Sequence, residues 1–360
     1  MNNLVVGLGN CGCQIVKAIS NSKTLSDVKL YAVDSTTASI DMSTITSVET
    51  IPIISDEYEG SGRNRARGCA MFEYHDRNGA FEKLYKDAEN AKAPVIVISS
   101  AAGGTGSGSI VPLCKRLLNK DIDVIPVIIA PDLKDPDAYH LNTSDLMIEL
   151  QDIGVKTYSI FRNKYGDADY TSINLDVVKL IEIIFGKDYD RTTRDSIDDA
   201  DLKNVLSVPG RFIALSVEAK DINVLQKEII KKVFSGSQPA WTEEEANSHT
   251  FMKAYSLKSM FANTDFDTVF KEVNARIPNA YDEYRNIVAD DNNGTATATL
   301  IISGLPRPEM KIVDTDFMEA KGIGEGMNRS KRPSFMNRKK SEPPKDIDGD
   351  KDLISQFKWY

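Results

Sequence analysis

The residues with the clearest chemical purpose are glycines that separate an apolar run from a helical one. Ala101-Ala102-Gly103-Gly104-Thr105-Gly106-Ser107-Gly108 follows the unbroken apolar residues 95–98. After it, Ile110, Val111, Leu113, Cys114, Leu117 and Leu118 recur at helical spacing. A glycine turn between a buried strand and a helix start exposes backbone N–H groups. With the positive end of the helix dipole they form an anion site, most often for phosphate. Thr105 and Ser107 are expected to add hydroxyl donors. The turn lacks the Gly-Lys-Ser/Thr of a Walker A loop. A bare strand-to-helix connection has the same composition, so the rest of the chain must decide its role.

Three other constellations bear on that decision. Gly7, Gly9 and Gly12 spell G-x-G-x-x-G after a short apolar run, and Asp34 ends the next strand about twenty residues on, which is the dinucleotide fingerprint. A nicotinamide-dependent oxidoreductase is therefore an alternative reading. It would need a substrate-side acid or base, and the three histidines (His75, His140, His249) stand in no recognisable catalytic setting. Gly60, Ser61, Gly62, Arg63, Asn64 and Arg65 form a third glycine turn leading to a helix, either phosphate-facing or a solvated basic loop. Asp198 and Asp201 are spaced to project from one helical turn. The same acids also suit an ordinary helix N-terminus.

These groups need a scaffold. Apolar strands are expected at 4–7, 29–33, 51–54, 95–98, 123–129 and 156–161. Helices are expected after the first glycine turn, at 66–74 and 81–91, after residue 108, and at 141–151. Strands alternating with helices predict a doubly wound parallel α/β sheet, with ligands at the carboxyl ends of its strands. The three turns, Asp34 and Asn163 should lie there. A long helix follows over 170–186, with Ile173, Val177, Leu180, Ile181 and Ile184 as its core stripe. Beyond Arg211, strands at 211–217, 251–257 and 295–303 and helices at 221–234 and 264–273 read as a smaller α+β domain. Residues 319–360 lose apolar periodicity and read as a disordered tail, first basic (Arg329, Lys331, Arg332, Arg338, Lys339, Lys340), then acidic (Asp346, Asp348, Asp350, Asp352).

Composition excludes several classes. A net charge of -9 over 360 residues argues against a general nucleic-acid binder. The cysteines Cys11, Cys13, Cys69 and Cys114 fit no zinc spacing and read as reduced cytosolic thiols. No basic region precedes a long apolar run at the N-terminus, and no 18-residue apolar stretch occurs. Neither a signal peptide nor a membrane span is expected.

Together the pieces resemble the tubulin/FtsZ superfamily of GTPases. Its G-G-G-T-G-S/T-G loop stands here as Ala102-Gly103-Gly104-Thr105-Gly106-Ser107-Gly108, with alanine for the first glycine. Gly9-Asn10-Cys11-Gly12-Cys13-Gln14-Ile15 is similar to tubulin's first loop, G-Q-C-G-N-Q-I. Ile197-Asp198-Asp199-Ala200-Asp201-Leu202-Lys203 resembles the FtsZ synergy loop, N-x-D-x-x-D-V-K, with Ser196 at the leading asparagine. The landmarks span the first 205 residues in the family's order. Residues 304–306, the long polar tail and the divergence of the chain look most like the TubZ branch of plasmids and phages, with bacterial division FtsZ as the alternative.

The resemblance implies a GTP-binding domain over 1–169, a core helix and synergy loop over 170–206, an α+β domain over 207–318 and a flexible tail over 319–360. It implies GTP and GDP as ligands, with Mg²⁺ held mainly by the phosphates. Gly9, Asn10, Cys11, Gly12 and Gln14 would cradle phosphates together with Gly103, Gly104, Thr105, Gly106, Ser107 and Gly108. Gly60, Gly62 and Arg63 would face the γ-phosphate, with Asp34 nearby. Asn163 would contact guanine or ribose, and Asn174 or Asp176 would hold the guanine edge. Asp198 and Asp201 would be catalytic, acting on the neighbouring subunit's nucleotide. The implied protein is a cytoplasmic, filament-forming GTPase that segregates DNA through a small DNA-binding adaptor of the TubR type engaging its tail. Its partners would be copies of itself and that adaptor, with DNA met only indirectly and no membrane.

Overall fold

The computed structural model describes residues 3–40, 47–56, 59–163, 170–186, 197–238, 251–289 and 294–307. All of these belong to one compact unit, Met1–Thr315. Lys164, Asp195, Ser196, His249 and the whole of 319–360 lie outside the described residues.

Six parallel strands carry the first half: Leu4–Leu8 (β1), Lys29–Asp34 (β2), Val48–Pro52 (β3), Val95–Ser100 (β4), Val124–Ala130 (β5) and Thr157–Arg162 (β6). Gly210–Ala219 (β7), Met252–Ser259 (β8), Asp282–Ala289 (β9) and Ala296–Leu305 (β10) continue the same sheet. Among the described residues its order is β3-β2-β1-β4-β5-β6-β7-β10-β8-β9. The junction is a short parallel pairing of Thr157 and Tyr158 with Gly210 and Arg211. β10 runs antiparallel to both its neighbours, while β8 and β9 are parallel. Beyond Arg211 the strands thus extend the first sheet, and they include one not expected from the sequence. β9 (DEYRNIVA) fully buries only Asn286 and Val288, because it is an edge strand that carries charged residues.

The helices are Gly9–Ser20 (α1), Thr37–Ile40 (α2), Arg65–Arg77 (α3), Glu82–Glu89 (α4), Thr105–Leu118 (α5), Asp137–Asp152 (α6), Tyr170–Ile184 (α7), Asp199–Ser207 (α8), Ile222–Ser235 (α9) and Ala262–Arg276 (α10). α6 begins four residues before the expected position, with Pro136 preceding it as a natural helix starter. Side chains alternate between the two faces of the parallel sheet. Val5, Ile96, Ile98, Ile125 and Val127 pack with α1 and α7 on one face. Leu4, Val6, Leu8, Val95, Val97 and Ile128 pack with α3, α4, α5 and α6 on the other. Such double coverage is why the strands read as unbroken apolar runs. A third core joins β7, β8 and β10 to α9 and α10. Among the described residues no helix is long and apolar enough to cross a membrane.

One topological feature positions the site. β1 pairs with β2 on one side and β4 on the other, so the strand order reverses between β1 and β4. The crevice outside the carboxyl ends at such a reversal is where open α/β sheets take ligands. The first and second glycine turns follow those two strands.

Candidate nucleotide site

The two turns touch through their backbones. Gly9 has φ +69°, and a Cβ there would lie 2.9 Å from the Gly106 nitrogen. A Cβ on Gly106 would lie 2.6 Å from the Leu8 carbonyl oxygen. Neither position admits a side chain, so α1 and α5 start side by side with their positive ends at one place. Gly7 and Gly12 press the start of α1 onto β1, and a Cβ on Gly12 would sit 2.6 Å from the Ile98 carbonyl. Those two glycines serve helix–strand packing. Asn10 and Gln14 are solvent-facing on α1, with Cys11 half-buried between them. Desolvation pushes the Cys11 thiol up to about 12, so it enters the site as a neutral group.

The second turn supplies the donors. Among the described residues, the N–H groups of Gly103, Gly104, Thr105, Gly106 and Ser107 meet no backbone acceptor. A run of unpaired N–H groups at a helix start is what an anionic phosphate requires. At Gly103 a Cβ would meet nothing within 4 Å, so this part of the turn faces open space. The hydroxyls have another job than the one expected. Thr105 Oγ1 is hydrogen-bonded to Ser35 Oγ (2.6 Å) and Ser61 Oγ (3.0 Å), and Ser107 Oγ donates to the Gly103 carbonyl. Both residues are buried, so their side chains lock the turn.

Thr105 thereby joins three loops: the one after β2, the third glycine turn, and the start of α5. In the third turn Gly60, Gly62 and Arg63 all have left-handed backbone, at φ +69°, +58° and +62°. For arginine this conformation is uncommon and costs on the order of 1 kcal/mol or more. Gly104 packs against Ser61 and Asn64 of this turn, which seats the second and third turns against each other. Gly108 packs against Arg65 and Cys69 one helical turn later. Asn64 Oδ1 caps α3 by accepting from the Arg67 N–H. Asp34 is buried, and its Oδ1 accepts from the Ser35 N–H at 2.6 Å. Burial raises its carboxyl, with the Ser35, Ser39 and Thr36 donors pulling the other way. Its oxygens are used in capping its own loop rather than held out for a ribose, as the dinucleotide pattern would have it.

Asp198 and Asp201 are elsewhere. Asp198 Oδ1 accepts from the N–H groups of Ala200 (2.8 Å) and Asp201 (2.9 Å), and Asp201 Oδ2 accepts from the Asp198 N–H (3.2 Å). The pair is a capping box for α8. Thr157 Oγ1 donates to the Val208 carbonyl just past the end of α8. Thr157 opens β6, so α8 leads into the amino end of the parallel sheet, opposite the glycine turns. Between the two ends runs α7, whose 15 residues span roughly 22 Å. The end of α8 therefore lies at the amino end of the sheet, opposite the glycine turns.

A model of the Tubulin/FtsZ family GTPase domain matches residues 2–165. Residues 2–165 thus match the GTPase domain of the tubulin/FtsZ family. This decides against the nicotinamide reading of the first 35 residues. No curated protein matches the sequence. Solved structures do match in fold. A GTPγS-bound protofilament of CetZ2 from Haloferax volcanii aligns with TM-score 0.69 at 17% identity, covering 89% of this chain and 97% of that one. A GTPγS-form protofilament of TubZ from Bacillus thuringiensis serovar israelensis aligns with TM-score 0.66 at 16% identity, covering 90% and 92%. An empty FtsZ dimer from M. jannaschii aligns with TM-score 0.63 at 15% identity, covering 87% and 94%.

The two expected guanine readers, Asn174 and Asp176, project from different sides of α7. Asp176 Oδ1 accepts from Lys232 Nζ (3.1 Å) and its Oδ2 from Ser237 Oγ (2.5 Å), so it faces the end of α9. A small polar cleft lies there, lined by Asp176, Lys179, Ser216, Lys232, Ser237 and Gln238 among others. Asn174 is two residues earlier, about 200° away around the helix. Its direction follows from Glu182, whose Oε1 accepts from Ser22 Oγ (2.9 Å) and from Thr24 Oγ1, just past α1. The carboxyl ends of α1 and α7 are thus together, and the two helices pack along their length. The helices run in the same direction, so Asn174, half-buried near the start of α7, stands at the same end of the pair as the start of α1. Asn163 directly follows β6, where its N–H donates to the Ala130 carbonyl.

Three residues of the site were not expected from the sequence. Ser35 follows a strand end, where a hydroxyl is unremarkable, although its place beside Asp34 was a usable signal. Tyr139 lies under the Arg63 guanidinium, 5.0 Å from its ring centroid. Asn142 donates to carbonyls of the second and third turns. Nothing local marks Tyr139, while Asn142 is a poor helix former inside a helix, which hints at a side-chain task.

Proposed function

We propose that this chain is a polymerising GTPase whose hydrolytic site is completed between subunits. The observation that supports the reading is that α8, which Asp198 and Asp201 open, ends at Val208 beside the first residue of β6, whereas the glycine turns follow the carboxyl ends of β1 and β4. In a head-to-tail stack, the acids of one copy meet the nucleotide of the next. The backbone donors of residues 103–107 and the start of α1 hold the phosphates. The Gly60 to Asn64 turn lies at the γ-phosphate, and Arg63 offsets its charge. The neighbour's carboxylates orient the attacking water in line with the bond that breaks. Mg²⁺, held mainly by the nucleotide's phosphates, would supply charge neutralisation, with Asp34 nearby at the end of β2.

We assign the guanine edge to Asn174 rather than Asp176. An amide can accept from guanine N1–H and donate to O6, and adenine presents the opposite pattern. Asn163 contacts the ribose or base from the end of β6. Two of the similar structures are protofilaments by description, CetZ2 and TubZ, which supports the stacking.

We further propose that the filament segregates plasmid or phage DNA in a bacterial cytoplasm, through a DNA-binding adaptor of the TubR type. The tail supports this. Its basic stretch (Arg329 to Lys340) precedes acids and a terminal apolar group of Leu353, Ile354, Phe357, Trp359 and Tyr360. Such a segment can order on a partner.

Pelleting with GTP, GDP and GTPγS, with phosphate release followed in parallel, tests the core reading. GTP and GTPγS should pellet the protein, GDP should not, and only GTP should release phosphate rapidly. Phosphate release with no assembly under any condition would refute it. Truncation after residue 318 should preserve assembly and abolish adaptor capture.

A further inference from the structure

Asn142 occupies a place that the glycine motifs do not account for. It lies half-buried on α6, and its single Nδ2 donates to two carbonyls from different parts of the chain. One is Arg63 O at 3.3 Å, in the third turn, and the other is Ala102 O at 3.1 Å, at the entry to the second. A primary amide nitrogen carries two hydrogens, one for each turn.

The same face of α6 holds the third turn at two further points. The Arg63 guanidinium sits over Tyr139, and Arg65 Nη2 pairs with Glu149 Oε2 at 2.7 Å. Residues 139, 142 and 149 fall within a narrow arc of the helix. Arg65 also donates to the Ser107 carbonyl through Nε and Nη2. α6 is therefore a rigid support behind both turns, and Asn142 is the one side chain on it that holds both at once.

The effect on the ligand side follows from peptide geometry. In a planar trans peptide the C=O and the following N–H point in opposite directions. With the Ala102 carbonyl held on Asn142, the Gly103 N–H points away from α6. Gly103 is the position where an added Cβ would meet nothing within 4 Å. The donor thus faces the open space between the turns. Fixing the Arg63 carbonyl on the same nitrogen sets how far the third turn stands from that donor.

We propose that Asn142 is a positioning residue for the terminal phosphate: it sets the gap between the second and third turns, so that the site distinguishes a nucleoside triphosphate from the diphosphate. The role rests on the GTPase reading and goes beyond it by naming what tunes the ligand preference. Among the described residues the hydrogen bonds of Asn142 go to Arg63 and Ala102 and not to Gly9 or the start of α5, so binding of the inner phosphates should be largely independent of it.

The test compares GTPγS and GDP affinities by fluorescent-nucleotide displacement, at a protein concentration too low for assembly. Asn142→Leu keeps the size and removes both donors. Two hydrogen bonds are lost, so GTPγS affinity should fall by about tenfold or more while GDP affinity stays within about twofold. Asn142→Asp, of the same shape but with only acceptors, should fall at least as far for GTPγS. Asn142→Gln, which keeps the amide, should recover part of the preference. Melting curves identify any variant that fails to fold, and the Asp variant then carries the comparison. An equal loss for both nucleotides, or no loss for either, would overturn the role. A native chain that binds neither nucleotide would overturn the GTPase reading, and this role with it.

Discussion

Replacing the acids at the start of α8 separates their structural task from their chemical one. Asp198 Oδ1 accepts two N–H bonds at 2.8 and 2.9 Å, and Asp201 Oδ2 returns one at 3.2 Å. An asparagine at either position keeps an acceptor oxygen, so the cap survives and only the charge–dipole attraction is lost, about 0.3–1 kcal/mol. For a body of this size that is a melting shift of no more than about 4 °C. Asp198→Ala removes the cap itself and costs about 0.5–2 kcal/mol. The chemical cost is much larger. A carboxylate that orients or deprotonates water contributes roughly 10²–10⁴ in rate, or about 3–5 kcal/mol of barrier. Asp201→Asn should therefore lower GTP turnover at least about a hundredfold with almost unchanged melting and unchanged GTP affinity. The assay is phosphate release at concentrations where the protein pellets, with calorimetry on the same samples. If Asp201→Asn turned over GTP within about threefold of native while Asp198→Ala merely lost stability, the pair would be a helix cap and the shared-site reasoning would fail.

Other outcomes follow from the same geometry. Gly106→Ala places a methyl 2.6 Å from the Leu8 carbonyl, so overpacking should cost about 1–3 kcal/mol of stability and GTP binding should drop sharply. Retained affinity by equilibrium titration would show that the two turns need not touch. Asn174→Ala should weaken GTP binding, whereas Asp176→Ala should leave it near native while loosening α7 from α9. The opposite ranking in a GTP titration would restore Asp176 as the guanine contact. Glu182 has its pKa lowered: burial alone would raise it, but the Lys179 ammonium and the Thr24 and Ser22 hydroxyls outweigh that. A depressed folded-state value means stability that is present above the ordinary value of 4.5 and lost as pH falls through the folded value. Native protein should thus melt higher than Glu182→Gln at neutral pH, with the gap closing on acidification below 4.5, and a gap independent of pH would contradict the clamp.

The glycine turns were legible because their constraint is local. A strand, a run of small residues and an apolar helix stripe recur in order, and the strand reversal between β1 and β4 then makes one crevice of two motifs. The parallel strands were legible for a related reason, since burial on both faces removes polar alternation. What the sequence withheld depends on long-range pairing. Thr105 looks like a ligand donor, yet Ser35 and Ser61, 70 and 44 residues away, claim its hydroxyl. Asp176 matches a guanine reader in type, and only the fold shows that its carboxylate is held by Lys232 and Ser237. β9 escaped because an edge strand that carries Glu283 and Arg285 has no apolar period to read. Arg63 in left-handed backbone has no sequence signature, since that conformation is imposed by the glycines on its flank and by α6 behind it.

The most direct measurement of the central claim is GTP turnover per subunit against protein concentration. If the acids of one copy serve the cradle of the next, turnover per subunit is close to zero in dilute protein, and rises above a threshold that coincides with the onset of pelleting. A constant turnover per subunit down to concentrations with no assembly would contradict it.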